Sequence, residues 1–251
     1  HRRVQSIAVH VCLDARDVVQ LHETPVVGHL LLGPQRVDDL QILVGHRAAT
    51  LTRAEELGLG DSYHLDASDA VRDADLVILC VPVGAMAAAA QAIAAHITPG
   101  TIVSDVGSSK RSVCEALGAA LPEAIVIPAH PVAGTENSGP DAGFATLFRQ
   151  RWCIVTPAED TPQTAVDALA DFWVGLGATV EVMDARHHDL VLAVTSHIPH
   201  LIAYTIVGTA SDLEEVTRGE VIKYSAGGFR DFTRIAASNP TMWRDVFLSN
   251  R

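Results

Sequence analysis

A single histidine stands where an apolar run meets a segment rich in turn-forming residues. The run is AIVIP, the segment is AHPVAGTENSGP, and the histidine is His130. Imidazole accepts a proton near neutral pH without a large change in its pKa, so His130 is a candidate general base. Its position is equally compatible with a structural histidine that only hydrogen-bonds within the turn.

The loop DVGSSK, at the end of the apolar run TIVSD, is a second candidate. In an open parallel sheet, ligands bind beyond the carboxyl ends of the strands, so we expect this loop and His130 to lie at the same edge. Ser108 or Ser109 would cap the next helix and offer backbone amide groups to an anion or a hydroxyl. Ser108 is therefore predicted to orient His130.

Histidines recur in a long apolar segment, DARHHDLVLAVTSHIPHLIAYTIVGTA. Ser196, His197 and His200 lie beside Pro199, and a proline inside a helix removes a backbone hydrogen bond and bends the helix. His197 and His200 are three residues apart, so they can share a helical face, and His188 precedes them on the same helix. A metal site is disfavoured because no carboxylate or cysteine stands at a ligand spacing and HExxH is absent. A polar seam between helices is the structural alternative.

A third cluster lies in SAGGFRDFTRIAASNPTMWRD. Gly227 and Gly228 permit close backbone approach, and Arg230 and Arg234, four residues apart, share a helical face. Guanidinium groups bind carboxylates in a bidentate manner, which makes this pair a candidate clamp. The alternative is that Arg234 only forms a surface ion pair with Asp231.

Such chemistry needs a scaffold that brings these segments together. From Gln41 onward, apolar runs such as QILVG, ADLVILCVP, TIVSD and AIVIP alternate with helix-like segments, and WCIVTP and ATVEVMD flank another helix. This alternation predicts an α/β fold with a Rossmann-type doubly wound parallel sheet. It stops at Asp184, so we predict two domains, 1–183 and 184–251, the second all-helical.

The acidic balance of the chain limits its partners. The 251 residues include 30 Asp and Glu against 18 Lys and Arg, a formal net charge of -12, which disfavours nucleic acid and anionic membranes. Four scattered cysteines predict a reducing, cytoplasmic compartment. No apolar run reaches the roughly 18 residues that a membrane span needs, and no signal peptide is evident.

In this order and spacing, DVGSSK, HPVAGTENSGP, TSHIPHLIAY and GGFRDFTRIAASNPTMWRD resemble the prephenate/arogenate (cyclohexadienyl) dehydrogenases of tyrosine biosynthesis. The resemblance extends from about Leu43 to Arg251. It implies a Rossmann domain followed by a helical dimerisation domain, with NAD or NADP as the oxidant. It also implies a small dicarboxylate substrate, prephenate, or arogenate, and a homodimer of the full-length protein.

The resemblance also assigns roles to residues. The histidine of HPxAG, here His130, takes the proton of the ring hydroxyl as hydride leaves the same carbon, and the ring carboxylate is lost as carbon dioxide. Ser108 would hold His130, His200 would line the substrate site, and Arg234 would bind a substrate carboxylate and lower the pKa of His130. Other matches to the substrate pocket are Thr135, Glu136, His188, Ser196, His197, Gly228 and Trp243. The expected cofactor contacts are Arg47, Val81, Pro82, Val83 and Asp105.

The first forty residues depart from this pattern. The first strand should run into a G-x-G-x-x-G turn that holds the pyrophosphate, but the segment offers only Gly28 and Gly33. We hypothesise that residues 1–41 are out of frame. Arg47 replaces the acidic residue that binds a ribose 2′-hydroxyl, which favours NADP slightly, although a solvated helix-start residue is the alternative. The further helices that such enzymes carry are expected beyond Arg251.

Three functions therefore remain open. The first is the oxidation of prephenate or arogenate, whose side chains differ only in a keto or an amino group that no residue here distinguishes. The second is a related dehydrogenase of the Rossmann-plus-helical type that acts on another hydroxy acid. The third is an inactive fragment or binding protein that keeps the substrate pocket without a dinucleotide site. The sequence does not choose between NAD and NADP, and it does not indicate feedback inhibition by tyrosine.

Overall fold

The computed structural model of the protein describes residues 7–12, 40–45, 47–134, 139–213 and 220–251. Its spatial centre is a parallel sheet of six strands in the order β3-β2-β1-β4-β5-β6. The strand order reverses at β1, which is the doubly wound topology that the sequence predicts. The strands are β1 (Ile7–Cys12), β2 (Leu40–Gly45), β3 (Ser62–His64), β4 (Leu76–Leu79), β5 (Ile102–Asp105) and β6 (Ile125–Val126).

Helices connect the strands and cover both faces of this sheet. A short 3₁₀ turn at Val83–Ala85 leads from β4 into a helix rich in alanine. The helices of this half are α1 (Ala48–Glu56), α2 (Ala67–Ala70), α3 (Met86–Ile93), α4 (Arg111–Ala120) and α5 (Gln163–Gly175).

Strand β4 shows why an uninterrupted apolar run predicts a central strand. All four of its residues are buried. Val77 and Leu79 pack into one core with residues of α3 and α4, whereas Ile78 packs into a second core with Leu169 and Trp173 of α5. Successive side chains of a strand point to opposite faces, so a strand covered on both faces needs apolar residues at every position.

β1 occupies the central position of the sheet, although it lies in the segment hypothesised to be out of frame. It pairs in parallel with β2 on one side and with β4 on the other. Residues 13–39, where a phosphate-binding turn would follow β1, lie outside the described residues. The out-of-frame hypothesis therefore stays a prediction for DNA sequencing to test.

A second sheet holds three strands, β7 (Ala129–Pro131), β8 (Trp152–Val155) and β9 (Thr179–Val182), with β7 antiparallel and β9 parallel to β8. The sequence predicted one strand that begins with AIVIP and ends at His130, and this was wrong. β6 ends at Val126, and His130 pairs with Ile154 in the second sheet. Pro128 lies between β6 and β7 and has no N–H to donate, so the ladder of the main sheet cannot continue through it.

One long helical stretch opens the remaining part of the chain. It consists of α6 (Ala185–Leu192), a π-helical turn (Ala193–His197) and α7 (Ile198–Asp212). The π turn lies directly before Pro199, in agreement with the predicted kink. The ring of His200 hydrogen-bonds through Nδ1 to the carbonyl oxygen of Ser196 at 2.9 Å, so a side chain satisfies one of the carbonyls at the kink.

The stretch Ala185–Asp212 has 28 residues and contains an 18-residue window with a mean hydropathy of 1.6, so by length and composition it could cross a membrane. The sequence predicted no such run, because it contains no uninterrupted apolar stretch of that length. The mean hydropathy is nevertheless high, because scattered histidines and threonines lower it only in part. Only 17% of this window is buried, so most of the apolar surface of the helix is uncovered in the single chain.

Three shorter helices complete the described chain: α8 (Glu220–Lys223), α9 (Gly227–Thr233) and α10 (Pro240–Ser249). α9 and the 3₁₀ turn after it, Arg234–Ala237, pack against α7. At the start of α10 the side chain of Asn239 accepts two backbone N–H bonds, and the helix packs against the turn that follows β4.

Candidate functional site

His130 lies on β7 and is only 8% exposed. Its Nδ1 is 2.8 Å from Nε2 of His188, and the two rings meet edge to face with centroids 5.1 Å apart. His188 is fully buried on α6. The resemblance placed His188 around the substrate pocket; this is wrong for the present structure, because a side chain with no exposed surface cannot contact a ligand.

The hydrogen bonds continue from His188 to its neighbour in the chain. Nδ1 of His188 is 2.8 Å from Oδ1 of Asp189, which is 3% exposed. The same carboxylate accepts the backbone N–H groups of Lys110 at 2.7 Å and Arg111 at 3.0 Å. We call His130, His188 and Asp189 the buried relay. It joins β7, α6 and the start of α4.

A fully buried ion pair lies beside the relay. Nζ of Lys110 is 2.6 Å from Oδ2 of Asp105, and both side chains have no exposed surface. Lys110 also donates to the carbonyl oxygen of Ala129 at 2.6 Å, and Asp105 accepts the N–H groups of Gly107 and Ala129. These bonds engage both the N–H group and the carbonyl oxygen of Ala129, the residue immediately before His130. They therefore fix the backbone that carries the imidazole.

The surroundings keep His130 neutral. Burial lowers the pKa of His130 well below its ordinary value, and the positive charge of Lys110, with smaller effects of His188 and His197, lowers it further. The resemblance assigned this effect to Arg234, but the structure gives it to burial and Lys110. A neutral imidazole at neutral pH is what a general base requires.

The ionised state of Asp189 follows from the same contacts. Burial opposes its charge, but the hydrogen bonds from His188 and from the N–H groups of Lys110 and Arg111 outweigh that effect and lower the pKa of Asp189. The carboxylate is therefore charged at neutral pH and acts only as an acceptor.

The two serines of the DVGSSK loop do not occupy the predicted roles. Within the described residues no hydrogen bond joins Ser108 to His130, whose Nδ1 is taken by His188. Neither serine caps α4, because its N-terminal N–H groups are bound by Asp189 of α6. Ser108 is half-buried, while Ser109 is fully buried and its hydroxyl has no partner in the described part of the chain.

The histidines after the π turn gather around Trp243 of α10. His200 stacks on the indole with centroids 3.6 Å apart and planes at 19°, and His197 meets it edge-on at 6.1 Å. Nδ2 of Asn250 is 3.0 Å from Nδ1 of His197 and donates to the backbone oxygen of Asp189. Burial lowers the pKa of both His197 and His200.

The remaining predicted substrate residues are more open. Arg234 is exposed, and no ion pair between it and Asp231 is present in the described chain, which leaves its guanidinium available. Ser196 is half-buried in the π turn. A Cβ on Gly228 would meet nothing within 4 Å, so the packing of the chain itself does not demand glycine there. Thr135 and Glu136 lie outside the described residues.

The expected cofactor residues divide into two groups. Pro82 and Val83 follow the carboxyl end of β4, which pairs with β1. The strand order reverses at this point, and dinucleotides bind at such a reversal in open parallel sheets. Val81 precedes these two residues and is 4% exposed. Arg47 stands at the start of α1, after β2. The assignment of these positions to the cofactor stays a prediction. Asp105 does not fit this role, because it has no exposed surface and its carboxylate is bound inside the chain.

The structure also has a cavity away from this arrangement. A surface cavity of about 640 Å³ is lined by residues around the start of α5, including Glu159 and Gln163, and by none of the predicted site residues. Among the described residues, no group of three His, Cys, Asp or Glu side chains could hold a metal ion.

Sequence reasoning missed Lys110, Asp189 and Asn250. Two of them carried a signal. Lys110 ends the DVGSSK loop five residues after Asp105, and Asp189 directly follows His188 in RHHD. A carboxylate adjacent to a histidine is a common way to orient the ring. Asn250 carried none, because its partners lie 53 and 61 residues away.

Two family descriptions match the chain. The nucleotide-binding domain of prephenate dehydrogenase matches residues 30–182, and the dimerization domain of prephenate dehydrogenase matches residues 184–251. Cyclohexadienyl dehydrogenase from Zymomonas mobilis is 50% identical over 198 residues, which are 79% of this chain and 68% of that protein. Prephenate dehydrogenase from Bacillus subtilis is 34% identical over 200 residues, 79% of this chain, and the match spans only 54% of that protein.

Solved structures agree. Prephenate dehydrogenase from Aquifex aeolicus, crystallised with hydroxyphenyl propionate and NAD+, is similar with a TM-score of 0.83 and 28% identity, over 98% of this chain and 82% of that one. Arogenate dehydrogenase from Synechocystis is similar with a TM-score of 0.76 and 24% identity, over 98% and 84% of the two chains. The second likeness concerns the fold alone.

Proposed function

This chain belongs to the prephenate dehydrogenase family, and we propose that it carries out the oxidative decarboxylation of prephenate, of arogenate, or of both. The products are 4-hydroxyphenylpyruvate from prephenate and tyrosine from arogenate. The observation that carries the proposal is His130, a buried imidazole kept neutral by its surroundings, with Nδ1 bound to His188 and Nε2 left for substrate.

His130 serves the reaction as a base. Its Nε2 accepts the proton of the C4 hydroxyl as the C4–H bond breaks and the electron pair leaves with the hydride. NAD or NADP, when bound at the switch point beside β1 and β4, supplies the hydride acceptor. The bond to the ring carboxylate then breaks, its electron pair enters the ring, and carbon dioxide departs. The phenolate oxygen recovers the proton from His130, so no net proton is gained or lost.

The helical part of the chain supplies substrate recognition. Arg234 presents an exposed guanidinium, which binds a carboxylate through paired N–H bonds. His200 is held against Trp243, and the Ser196 carbonyl that it contacts fixes the hydrogen on Nδ1, which leaves Nε2 free for a polar group of the substrate. A cation in a chain of net charge -12 attracts a dicarboxylate locally.

The test is turnover by the purified chain with each pairing of prephenate or arogenate and NAD or NADP, followed through the absorbance of the reduced nicotinamide. We expect His130→Asn to lower kcat by about 10²- to 10⁴-fold, the range for a lost general base. The matched control is His187→Asn, an exposed histidine on α6 outside the relay. Absence of turnover with every pairing would contradict the proposal.

The pH dependence provides a second readout. Because the pKa of His130 is lowered, kcat/KM should stay constant as pH falls past about 6.5, the ordinary histidine value, and decline only at lower pH as His130 becomes protonated. A decline that begins above the ordinary value, or no decline at all, would contradict the role of His130.

We also propose that the chain forms a homodimer through the Ala185–Asp212 stretch. Leu190, Val194, Ile198 and Leu201 are between 48% and 66% exposed and are spaced three or four residues apart, so they form one apolar stripe. An exposed apolar stripe of this kind is typical of a subunit interface. The match of residues 184–251 to a dimerization domain supports the same assignment.

A cytoplasmic location is our remaining proposal. Cys114 and Cys153 are free thiols. Burial raises the pKa of both, so they stay protonated and unreactive at neutral pH. Structural thiols of this kind are typical of a reducing compartment.

A further inference from the structure

We propose that Asp189 and His188 are positioning residues that set the tautomer of His130, placing the hydrogen on Nδ1 and leaving the Nε2 lone pair for the substrate. This inference rests on the proposed function only for its consequence in catalysis. The tautomer itself follows from the contacts of the buried relay and can be measured without turnover.

The direction of every hydrogen bond in the relay follows from Asp189. A charged carboxylate has no hydrogen to donate, so Nδ1 of His188, 2.8 Å away, must carry one. A neutral imidazole carries a single N–H, so Nε2 of His188 is an acceptor. Nδ1 of His130, 2.8 Å from that atom, must therefore be the donor. Only Nε2 of His130 remains to accept a proton.

The reverse arrangement is unfavourable for a physical reason. If His188 carried hydrogens on both nitrogens, it would donate to His130 and force the hydrogen of the latter onto Nε2. That state requires a positive charge on a side chain with no exposed surface, and burying a charge is costly unless it is paired. Among the described residues, the hydrogen-bond partners of this ring are Nδ1 of His130 and the carboxylate of Asp189, which already accepts two backbone N–H groups.

Asp189 also ties this tautomer to the packing of the two parts of the chain. Its side chain binds the N–H groups of Lys110 and Arg111 at the start of α4, and its backbone oxygen accepts from Asn250 after α10. The acceptor that orients His188 is therefore held in place by α4 and by the C-terminal end of the described chain. Correct packing of α6 against α4 is a condition for the active tautomer.

In Asp189→Asn the amide NH₂ group reverses the relay when it stands at the Oδ1 position, which faces both His188 and Lys110. The amide oxygen then keeps the bond to the N–H group of Arg111 at the Oδ2 position, and the bond to Lys110 is lost. Nδ1 of His188 then accepts, its Nε2 donates, and His130 is left with hydrogen on Nε2. In another enzyme an Asp→Asn change next to a catalytic histidine acts in this way and costs about 10⁴-fold in kcat.

The experiment is nitrogen-15 NMR of histidine-labelled full chain at neutral pH, with His130 assigned by its loss in His130→Asn. The expected wild-type signals are a protonated Nδ1 and an unprotonated Nε2 for His130. In Asp189→Asn these should be exchanged, and kcat should fall by about 10²- to 10⁴-fold. The matched control is Asp184→Asn, since Asp184 caps the same helix through Arg186 and His187 and asparagine caps equally well. Asp184→Asn should change neither the tautomer of His130 nor kcat.

The acid limb of the pH profile separates this role from a structural one. Among the described residues, the charged and titratable groups near His130 are Lys110 and Asp105 beside β7, Asp189 on α6, and the rings of His188 and His197. Removing the charge of Asp189 makes protonation of His130 less favourable, so residual activity of Asp189→Asn should decline at lower pH than in the wild type. A variant that is only less stable would keep the wild-type limb.

A second variant tests the relay without changing Asp189. In His188→Gln the amide oxygen can accept from Nδ1 of His130, so the active tautomer and more activity than in Asp189→Asn should survive. A wild-type His130 with hydrogen on Nε2 would overturn the inference, even if the substituted chains fail to fold. Inactive wild-type chain with the expected tautomer would contradict the proposed function and leave the relay standing.

Discussion

Two regions of the molecule differ in whether their charged groups are buried or exposed. Around β7 and α4, Lys110, Asp105 and the relay are buried and bonded to one another inside one chain. Around α7, the cation of Arg234 is exposed and a stripe of large apolar side chains faces solvent. The first region is complete in itself, and the second has surfaces that fit a substrate and a second subunit. In the proposed function, the candidate base lies in the closed region and the candidate substrate-binding arginine lies in the open region.

The largest expected effect breaks the closed region. Lys110→Met removes one partner of the buried ion pair and leaves the carboxylate of Asp105 without its charge partner, which should lower the free energy of unfolding by about 3–5 kcal/mol. Urea unfolding followed by circular dichroism measures it. The matched control is Arg244→Met, whose pair with Asp245 is 48% exposed on the arginine side and should contribute at most about 1 kcal/mol. Equal losses would contradict the distinction between buried and exposed pairs.

A smaller effect tests the contact between the regions. A Cβ on Gly84, in the turn after β4, would lie 2.9 Å from Oδ2 of Asp245 on α10. That oxygen is the end of a side chain and can move, so Gly84→Ala should cost about 1 kcal/mol of unfolding free energy, the low end of the range for overpacking. In Gly118→Ala, an exposed position in α4 with nothing within 4 Å, the same change should stabilise by about 0.5–1 kcal/mol. Thermal unfolding of both variants measures the difference, and the same sign in both would count against the close approach of α10.

The smallest effect on the stability of the chain comes from the open region. Leu190→Glu with Val194→Glu replaces exposed side chains, so the unfolding free energy of the monomer should change by no more than about 0.5 kcal/mol per site. Association should nevertheless be lost. Light scattering coupled to gel filtration should give a dimer for the wild type and a monomer of 26.7 kDa for the variant. A wild-type monomer, or an unaffected dimer in the variant, would remove the stripe from the interface.

Much of the scaffold could be predicted from local patterns. The apolar run around Val77 and Leu79 predicted a central strand because a strand covered on both faces needs such a run. Pro199 predicted the disturbance at the π turn. The prediction failed at His130, because the two strands on either side of Pro128 form one continuous apolar run in sequence.

The sequence by itself determined the doubly wound sheet, the start of the helical part at about Asp184, and the identity of His130 as the candidate base. These depend on interactions within a few residues or on the period of apolar side chains. The tertiary structure alone decided which groups orient and neutralise His130. Its partner His188 is 58 residues away, and Lys110 reaches the carbonyl of Ala129 across 19 residues. The first pair forms only when α6 packs beside β7, and the second only when the loop after β5 packs beside β7; no local pattern records either packing.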